Sequence, residues 1–148
     1  MRRGLIMSMF FTTFIAHAEK YDEIIEVLKY VETNNQPHLI GDGGDSYGVL
    51  QIQWPAIRDV NKYFGTHFTH EDAFNPQCAV RITRLYMQMG AELYCKKYGK
   101  EAPEEALVRN HNGGIYRGYR IRATIPYWER YKSFKRKFNN KDRNVNKM

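Results

Sequence analysis

The chain has 148 residues, of which 43% are hydrophobic and 26% charged. This composition is typical of one globular domain and excludes a chain that is disordered throughout. Two cysteines are too few for a disulfide scaffold or a thiolate zinc site, and the sequence shows no repeat of the kind that builds solenoids or collagen.

The net charge of +7 is concentrated near the carboxyl end of the chain. Residues 130–148 contain eight basic side chains and one acid, so the rest of the chain is neutral overall. We expect a basic tail over residues 135–148 that is either solvated or attracted to polyanions such as anionic wall polymers. A nucleic-acid protein is a weaker interpretation, because the neutral body shows no nucleic-acid motif.

The first 18 residues have the layout of a secretory signal peptide. Arg2 and Arg3 precede an apolar stretch of 13 residues, and the small residues Ala16 and Ala18 frame a cleavage site after Ala18. A membrane-spanning helix needs about 20 apolar residues, so we expect no permanent membrane span. The sequence therefore predicts an exported protein, periplasmic or extracellular; a buried N-terminal helix is the alternative.

The remaining chain predicts helices joined by short loops. Apolar residues recur at helical spacing from Tyr21 to Val31, and prolines stand at the expected starts of later helices. The fold class is therefore mainly α, with one Gly-rich loop and at most a minimal β element, in a single domain over residues 19–134 that we expect to be a monomer. The prolines in question are Pro55, Pro76, Pro103 and Pro126.

Cys78 and Cys95 flank one of these predicted helices. Helical rise separates them by about 25 Å, whereas disulfide partners need Cα atoms within about 7 Å. We expect two free thiols, which is unusual in an exported protein and weakly opposes export.

Glu32 lies in the last turn of the first predicted helix. Partial burial beside the apolar stripe and the negative end of the helix dipole would both favour the protonated carboxyl group. A general acid requires that form near neutral pH. Taken alone, the position is a weak signal, because a Glu at a helix end is usually a solvated surface group.

A loop rich in Gly and Asp follows over residues 41–53. Its glycines permit positive φ and close approach to a ligand, and Asp42, Ser46 and Gln51 add hydrogen-bonding groups. The loop lacks EF-hand spacing, because Gln53 stands where the twelfth-position Glu would be needed.

Two further segments carry polar groups later in the chain. Asn112-Gly113-Gly114 ends one predicted helix, and residues 124–127 open the last one. Asn112 and Tyr127 offer an amide and an aromatic face, a combination common in sugar sites.

In this order, the segments resemble the lysozyme-like lytic transglycosylase family. That family has a Glu closing a first long helix, then an "S-x-G-x-x-Q-I" segment, a long helix, an "N-G-G" helix end and a "T-x-x-Y" segment. The resemblance covers about residues 21–131, and the five pieces in series are fairly specific. The five matching segments here are Glu32, Ser46–Ile52, the long helix predicted from the Asn75-Pro76 cap to about Tyr98, Asn112–Gly114 and Thr124–Tyr127.

The resemblance implies that Glu32 is the catalytic acid and base. It implies that Ser46 and Gln51 line a sugar cleft and that Asn112 and Tyr127 flank the acid. The implied substrate is the β-1,4 bond between N-acetylmuramic acid and N-acetylglucosamine in peptidoglycan, and the implied product has a 1,6-anhydro end. No metal or other cofactor is implied.

Two residues depart from the family pattern. Thr33 follows the Glu where Ser is usual, and it keeps the hydroxyl. His111 precedes Asn112 where Tyr is common, and an imidazole beside the acid could alter the pH profile.

Two other functions stay open. The loop is also similar to that of goose-type lysozymes, in which an Asp matching Asp42 helps to position water, so Glu32 and Asp42 together predict a hydrolytic muramidase as the alternative. A non-catalytic glycan-binding or phage structural module with the same fold is the other. A bacterial and a phage origin fit the sequence equally well.

Overall fold

A computed structural model describes residues 20–145, and side chains as far as residue 140. The signal peptide and cleavage site predicted for residues 1–18 lie outside the described residues. Within the described part, no helix is both long and apolar enough to cross a membrane.

The described chain is mainly helical, which confirms the predicted fold class. Each of the later helices begins within one residue of the proline that predicted it. The helices are α1 (residues 20–33), α2 (Trp54–Phe64), α3 (Pro76–Tyr98), α4 (Glu104–Gly113) and α5 (Ile125–Val145). Short 3-10 turns cover Asp42–Gly44, Glu71–Phe74, Gly118–Arg120 and Arg122–Thr124.

The Gly-rich loop folds as a minimal antiparallel sheet. Its strands are β1 (Ile40–Gly41), β2 (Ser46–Tyr47) and β3 (Ile52–Gln53), in the order β1-β2-β3. Gly41 pairs with Ser46, and Ser46 pairs with Gln53. β3 runs directly into α2. The Thr33 hydroxyl, at the end of α1, donates a hydrogen bond to the Val49 backbone oxygen and so ties this loop to α1.

The first helix forms one wall of the core. Its apolar residues at helical spacing are all buried, as predicted, and Leu28 is fully enclosed. Burying a side chain of that size stabilises the fold by about 1.5–3 kcal/mol. The buried residues of this stripe are Tyr21, Ile24, Ile25, Val27, Leu28 and Val31.

The long helix α3 runs through the middle of the fold and contacts both α2 and α4. Its start is capped by Asn75, whose side chain accepts hydrogen bonds from the backbone N–H groups of Gln77 and Cys78. Because the helix is continuous, Cys78 and Cys95 are far apart and both are free thiols, as predicted.

The last helix does not end where the sequence predicted a tail. The expected boundary at residue 135 falls inside α5, which continues to Val145. Lys135 Nζ lies 2.9 Å from both carboxylate oxygens of Glu104 and 3.1 Å from Glu23, and Phe138 packs edge-on against Tyr30. The domain therefore extends at least to Phe138. The dense basic charge masks an apolar spacing that continues from Tyr131 through Phe134 to Phe138.

We expect the substitution Phe138→Ala to lower the free energy of unfolding by about 1–3 kcal/mol, because it removes a partly buried ring from the α1 contact. Asn139→Ala, its exposed neighbour, is the matched control and should leave stability unchanged. Urea unfolding monitored by circular dichroism measures both. Equal stability of the two variants would mean that the chain beyond residue 135 is indeed a tail.

Candidate active site

A cavity of about 410 Å³ opens between the end of α1, the small sheet, α3 and the end of α4. Five of the six residues that the sequence predicted as catalytic or substrate-binding line it. The sixth, Tyr127, is buried and contacts the site through Glu32. The five lining residues are Glu32, Asp42, Ser46, Gln51 and Asn112.

Glu32 is held by two side chains from the far end of the chain. Its side chain is 14% exposed. The hydroxyl of Tyr127 donates a hydrogen bond of 2.5 Å to Oε1, and Nε2 of His111 lies 3.4 Å from the same oxygen. Among the described residues, all hydrogen bonds and ion pairs of this carboxyl group fall on Oε1. Oε2 therefore has no hydrogen-bond or ion-pair partner in this part of the chain.

Tyr127 acts only as a donor in this arrangement. Burial, followed by the charge of Glu32 and the hydrogen bond to it, raises the Tyr127 pKa well above its ordinary value. The phenol thus keeps its proton throughout the physiological range. Its O–H group can donate to Oε1 both when Glu32 is ionised and when Glu32 carries its proton on Oε2.

His111 brings a second titratable group to the acid. Its side chain is 9% exposed, sits in the last turn of α4 and lines the cavity. When Nε2 carries a hydrogen, it can donate that hydrogen towards the Glu32 carboxylate. A protonated ring would form an ion pair with ionised Glu32. The sequence pattern singled out His111 as a departure but assigned it no role.

The end of α1 is tied to the Gly-rich loop by Thr33. Its buried hydroxyl donates to the backbone oxygen of Val49 (3.0 Å) and accepts from the backbone N–H of Gln36 (3.1 Å). This contact fixes the preceding residue, Glu32, relative to the opposite wall of the cavity. The hydroxyl that Thr33 shares with Ser therefore has a positioning role.

Ser46 and Gln51 support the loop from inside. Ser46 is 1% exposed, and its hydroxyl donates to Oδ2 of Asp42 at 2.5 Å. The amide of Gln51 donates to the backbone oxygens of Leu39 and Gly48. The sequence predicted both residues as sugar contacts. The structure commits the Ser46 hydroxyl and the Gln51 amide nitrogen to local contacts, so each residue acts first as a positioning residue.

Asp42 stands at the solvent side of the cavity. Its Oδ2 accepts hydrogen bonds from Ser46 and from Nε2 of Gln53 (3.2 Å). Asp42 and Gln51 both have left-handed backbone, with φ of 51° and 46°. Such a conformation costs a non-glycine residue about 1–2 kcal/mol, so the bonds of the loop must offset it.

Two segments of the motif pack directly on each other behind the site. A Cβ atom at Gly113 would lie 2.5 Å from a methyl group of Thr124 and 2.8 Å from the Cα of Gly118, so only glycine fits. The Thr124 hydroxyl donates to the Gly118 backbone oxygen (2.7 Å) and accepts from Nε of Arg109 (2.9 Å). This contact sets the end of α4, with His111, against the start of α5.

Sequence reasoning missed Arg109 and Thr83. Arg109 is 7% exposed. The sequence signal that could have identified it is Glu105, four residues earlier, which forms an ion pair of 2.7 Å with it.

Thr83 lines the cavity from α3 and is 2% exposed, and its hydroxyl has no hydrogen-bond partner in the described part of the chain. Nothing in the sequence distinguishes Thr83 from an ordinary core Thr.

No protein-family model matches the chain, and neither does any curated protein. Support for a function therefore comes from the geometry of the site and from the order of the sequence segments.

Two buried threonines form a matched pair for testing this geometry. Thr33→Val should lower the free energy of unfolding by about 1–3 kcal/mol, because it leaves the Val49 carbonyl unpaired. Thr83→Val should be neutral or stabilising, because it removes a hydroxyl that has no partner. Chemical denaturation measures both. A large loss of stability from Thr83→Val would mean that its hydroxyl is satisfied within the fold.

Proposed function

We propose that the chain cleaves the β-1,4 bond between N-acetylmuramic acid and N-acetylglucosamine in peptidoglycan, as a lytic transglycosylase with Glu32 as acid and base. The observation that carries the proposal is the asymmetric carboxyl group of Glu32. Oε1 is occupied by Tyr127 and His111, whereas Oε2 has no protein partner among the described residues. That is the arrangement that a proton-transferring acid needs.

In the first step, Oε2 of protonated Glu32 gives its proton to the glycosidic oxygen while the bond from that oxygen to C1 of the muramyl residue breaks. Negative charge develops on the carboxylate. The Tyr127 hydroxyl and, when protonated, His111 stabilise this charge from Oε1.

In the second step, the carboxylate takes the proton of the muramyl 6-hydroxyl group. The 6-oxygen attacks C1, a bond forms between them, and the proton returns to Glu32. The products are a free 4-hydroxyl group and a 1,6-anhydro ring, so no water is consumed and one carboxyl group serves both steps.

Hydrolysis by a muramidase is the second candidate, and Asp42 is the observation that favours it. Asp42 lines the same cavity as Glu32, and its contacts with Ser46 and Gln53 orient it. A second carboxylate can activate or position water. We favour the transglycosylase because Glu32 is largely buried, with its side chain 14% exposed, whereas Asp42 is exposed to solvent.

The substitution Glu32→Gln should abolish cleavage while leaving the fold intact. It keeps the size of the side chain and its acceptor for Tyr127 but removes the proton that is transferred, so we expect a loss of at least about 10²–10⁴-fold. Turbidity loss of a peptidoglycan suspension measures activity. Glu26→Gln, an exposed position on the same helix, is the control and should retain activity. A wild-type chain that binds peptidoglycan without clearing it would identify a non-catalytic binding module.

Asp42→Asn should reduce activity only modestly, because it preserves most of the loop contacts and Glu32 is unchanged. Asp45→Asn, at an exposed position in the same loop, is the control. Initial rates on soluble glycan strands compare the two. A loss as large as that of Glu32→Gln would favour the two-carboxylate muramidase instead.

A further inference from the structure

A second cavity, of about 580 Å³, lies beside the first, between the end of α3 and the segment that joins α4 to α5. We call it the tyrosine groove. It is lined by aromatic rings and cationic side chains, chiefly Tyr94, Tyr98, Tyr119, Lys96, Lys97 and Arg120.

The groove is strongly cationic. No Asp or Glu lines it, and its lysines and Arg120 make no ion pair with a carboxylate in the described part of the chain. The neighbouring cavity differs, since two carboxylates, Glu32 and Asp42, line it together with Arg117. An anionic ligand is therefore attracted more strongly to the groove than to its neighbour.

The tyrosines form a continuous wall. The rings of Tyr94 and Tyr98 are 4.5 Å apart, and Tyr119 packs edge-on against Tyr94 at 5.9 Å. The guanidinium group of Arg109 lies over the Tyr119 ring, 5.2 Å from its centroid. Lys97 Nζ lies over the Tyr98 ring, 5.4 Å from its centroid, and Tyr98 remains 42% exposed, so a partly exposed ring and a cation are presented together to a ligand.

Asn110 places an unused donor in the groove. The side chain is 8% exposed. Its Oδ1 accepts the backbone N–H of Tyr119 at 2.8 Å, which fixes the orientation of the amide. Nδ2 has no hydrogen-bond partner among the described residues, and the residue lines the groove. Nδ2 is not enclosed by protein, so it can donate a hydrogen bond to a ligand or to water in the groove.

The two cavities meet at Arg117, which lines both. A saccharide in the catalytic cavity could therefore extend an attached group into the tyrosine groove. We propose that the groove binds the carboxylate-bearing stem peptide of the peptidoglycan strand, an inference that rests on the proposed function. Carboxylates of the peptide pair with the cations, a peptide carbonyl accepts from Asn110, and its side chains pack on the tyrosines.

An attached peptide fits better than the other anions that cations and aromatic rings attract. A phosphate polymer or a single-stranded nucleic acid uses the same chemistry, but neither requires a neighbouring saccharide cavity. The shared Arg117 makes the two cavities neighbours, so a group attached to a bound saccharide can reach the groove.

The test compares two soluble substrates of equal glycan length, one with intact stem peptides and one from which an amidase has removed them. The triple variant Lys96→Gln, Lys97→Gln, Arg120→Gln removes the charge of the groove. The control triple Lys62→Gln, Arg136→Gln, Lys137→Gln removes equal charge outside both cavities. We expect the groove variant to lose about tenfold in kcat/KM on the peptide-bearing strand and little on the bare strand. The control should leave the ratio of the two unchanged.

Equal losses on both strands, or an equal effect of the two triples, would overturn the groove as a peptide site. If wild-type protein cleaves neither strand, the proposed function fails, and the groove is then tested by calorimetric titration with free stem peptide. Saturable binding that the groove triple weakens supports the site. No binding of the peptide, or binding of polyphosphate or a single-stranded oligonucleotide in its place, contradicts it.

Discussion

The candidate site depends on how the end of α4 meets the start of α5. Gly113 permits backbone contact that no larger residue could make, and the Thr124 hydroxyl joins Arg109 to the Gly118 carbonyl at the same point. These contacts orient two helices whose side chains reach Glu32. These contacts are what bring His111 and Tyr127 to the same carboxylate oxygen of Glu32. The "N-G-G" and "T-x-x-Y" segments are thus explained by packing as much as by ligand contact.

Charge divides the surface around this junction into two unlike cavities. The one beside Glu32 contains both carboxylates of the site, and the tyrosine groove contains only cations and neutral groups among its lining residues. A neutral saccharide suits the first, and an anionic extension suits the second. This contrast bears on the substrate more directly than the basic composition of the chain does, because much of the net positive charge lies on α5.

The sequence predicted the helices well because their signals are local. Apolar spacing, prolines at helix starts and the Asn75 cap each act within a few residues, and the structure has helices at those places. The end of the domain was wrong because a run of basic residues looks solvated, whereas Lys135 bridges Glu104 and Glu23 and Phe138 packs on Tyr30. The ion-pair partners of Lys135 are distant in the chain and leave no local pattern, whereas the apolar spacing that ends at Phe138 is local.

The sequence predicted which residues surround the site, but it did not predict what each of them contacts. Motif order was enough to select residues that line one cavity, yet it could not tell a ligand contact from a support. Ser46 and Gln51 are supports, and Thr83 is an unpaired hydroxyl at the cavity wall that no spacing reveals. Hydrogen bonding of this kind depends on tertiary packing, which a single sequence does not encode in any short pattern.

The most direct test of the central claim is mass spectrometry of the fragments that the wild-type protein releases from purified peptidoglycan. If one carboxyl group, that of Glu32, carries both proton transfers, the muramyl ends are 1,6-anhydro and lack the mass of a water molecule. Reducing muramyl ends, with that water added, would contradict the single-acid account and require a second group to activate water.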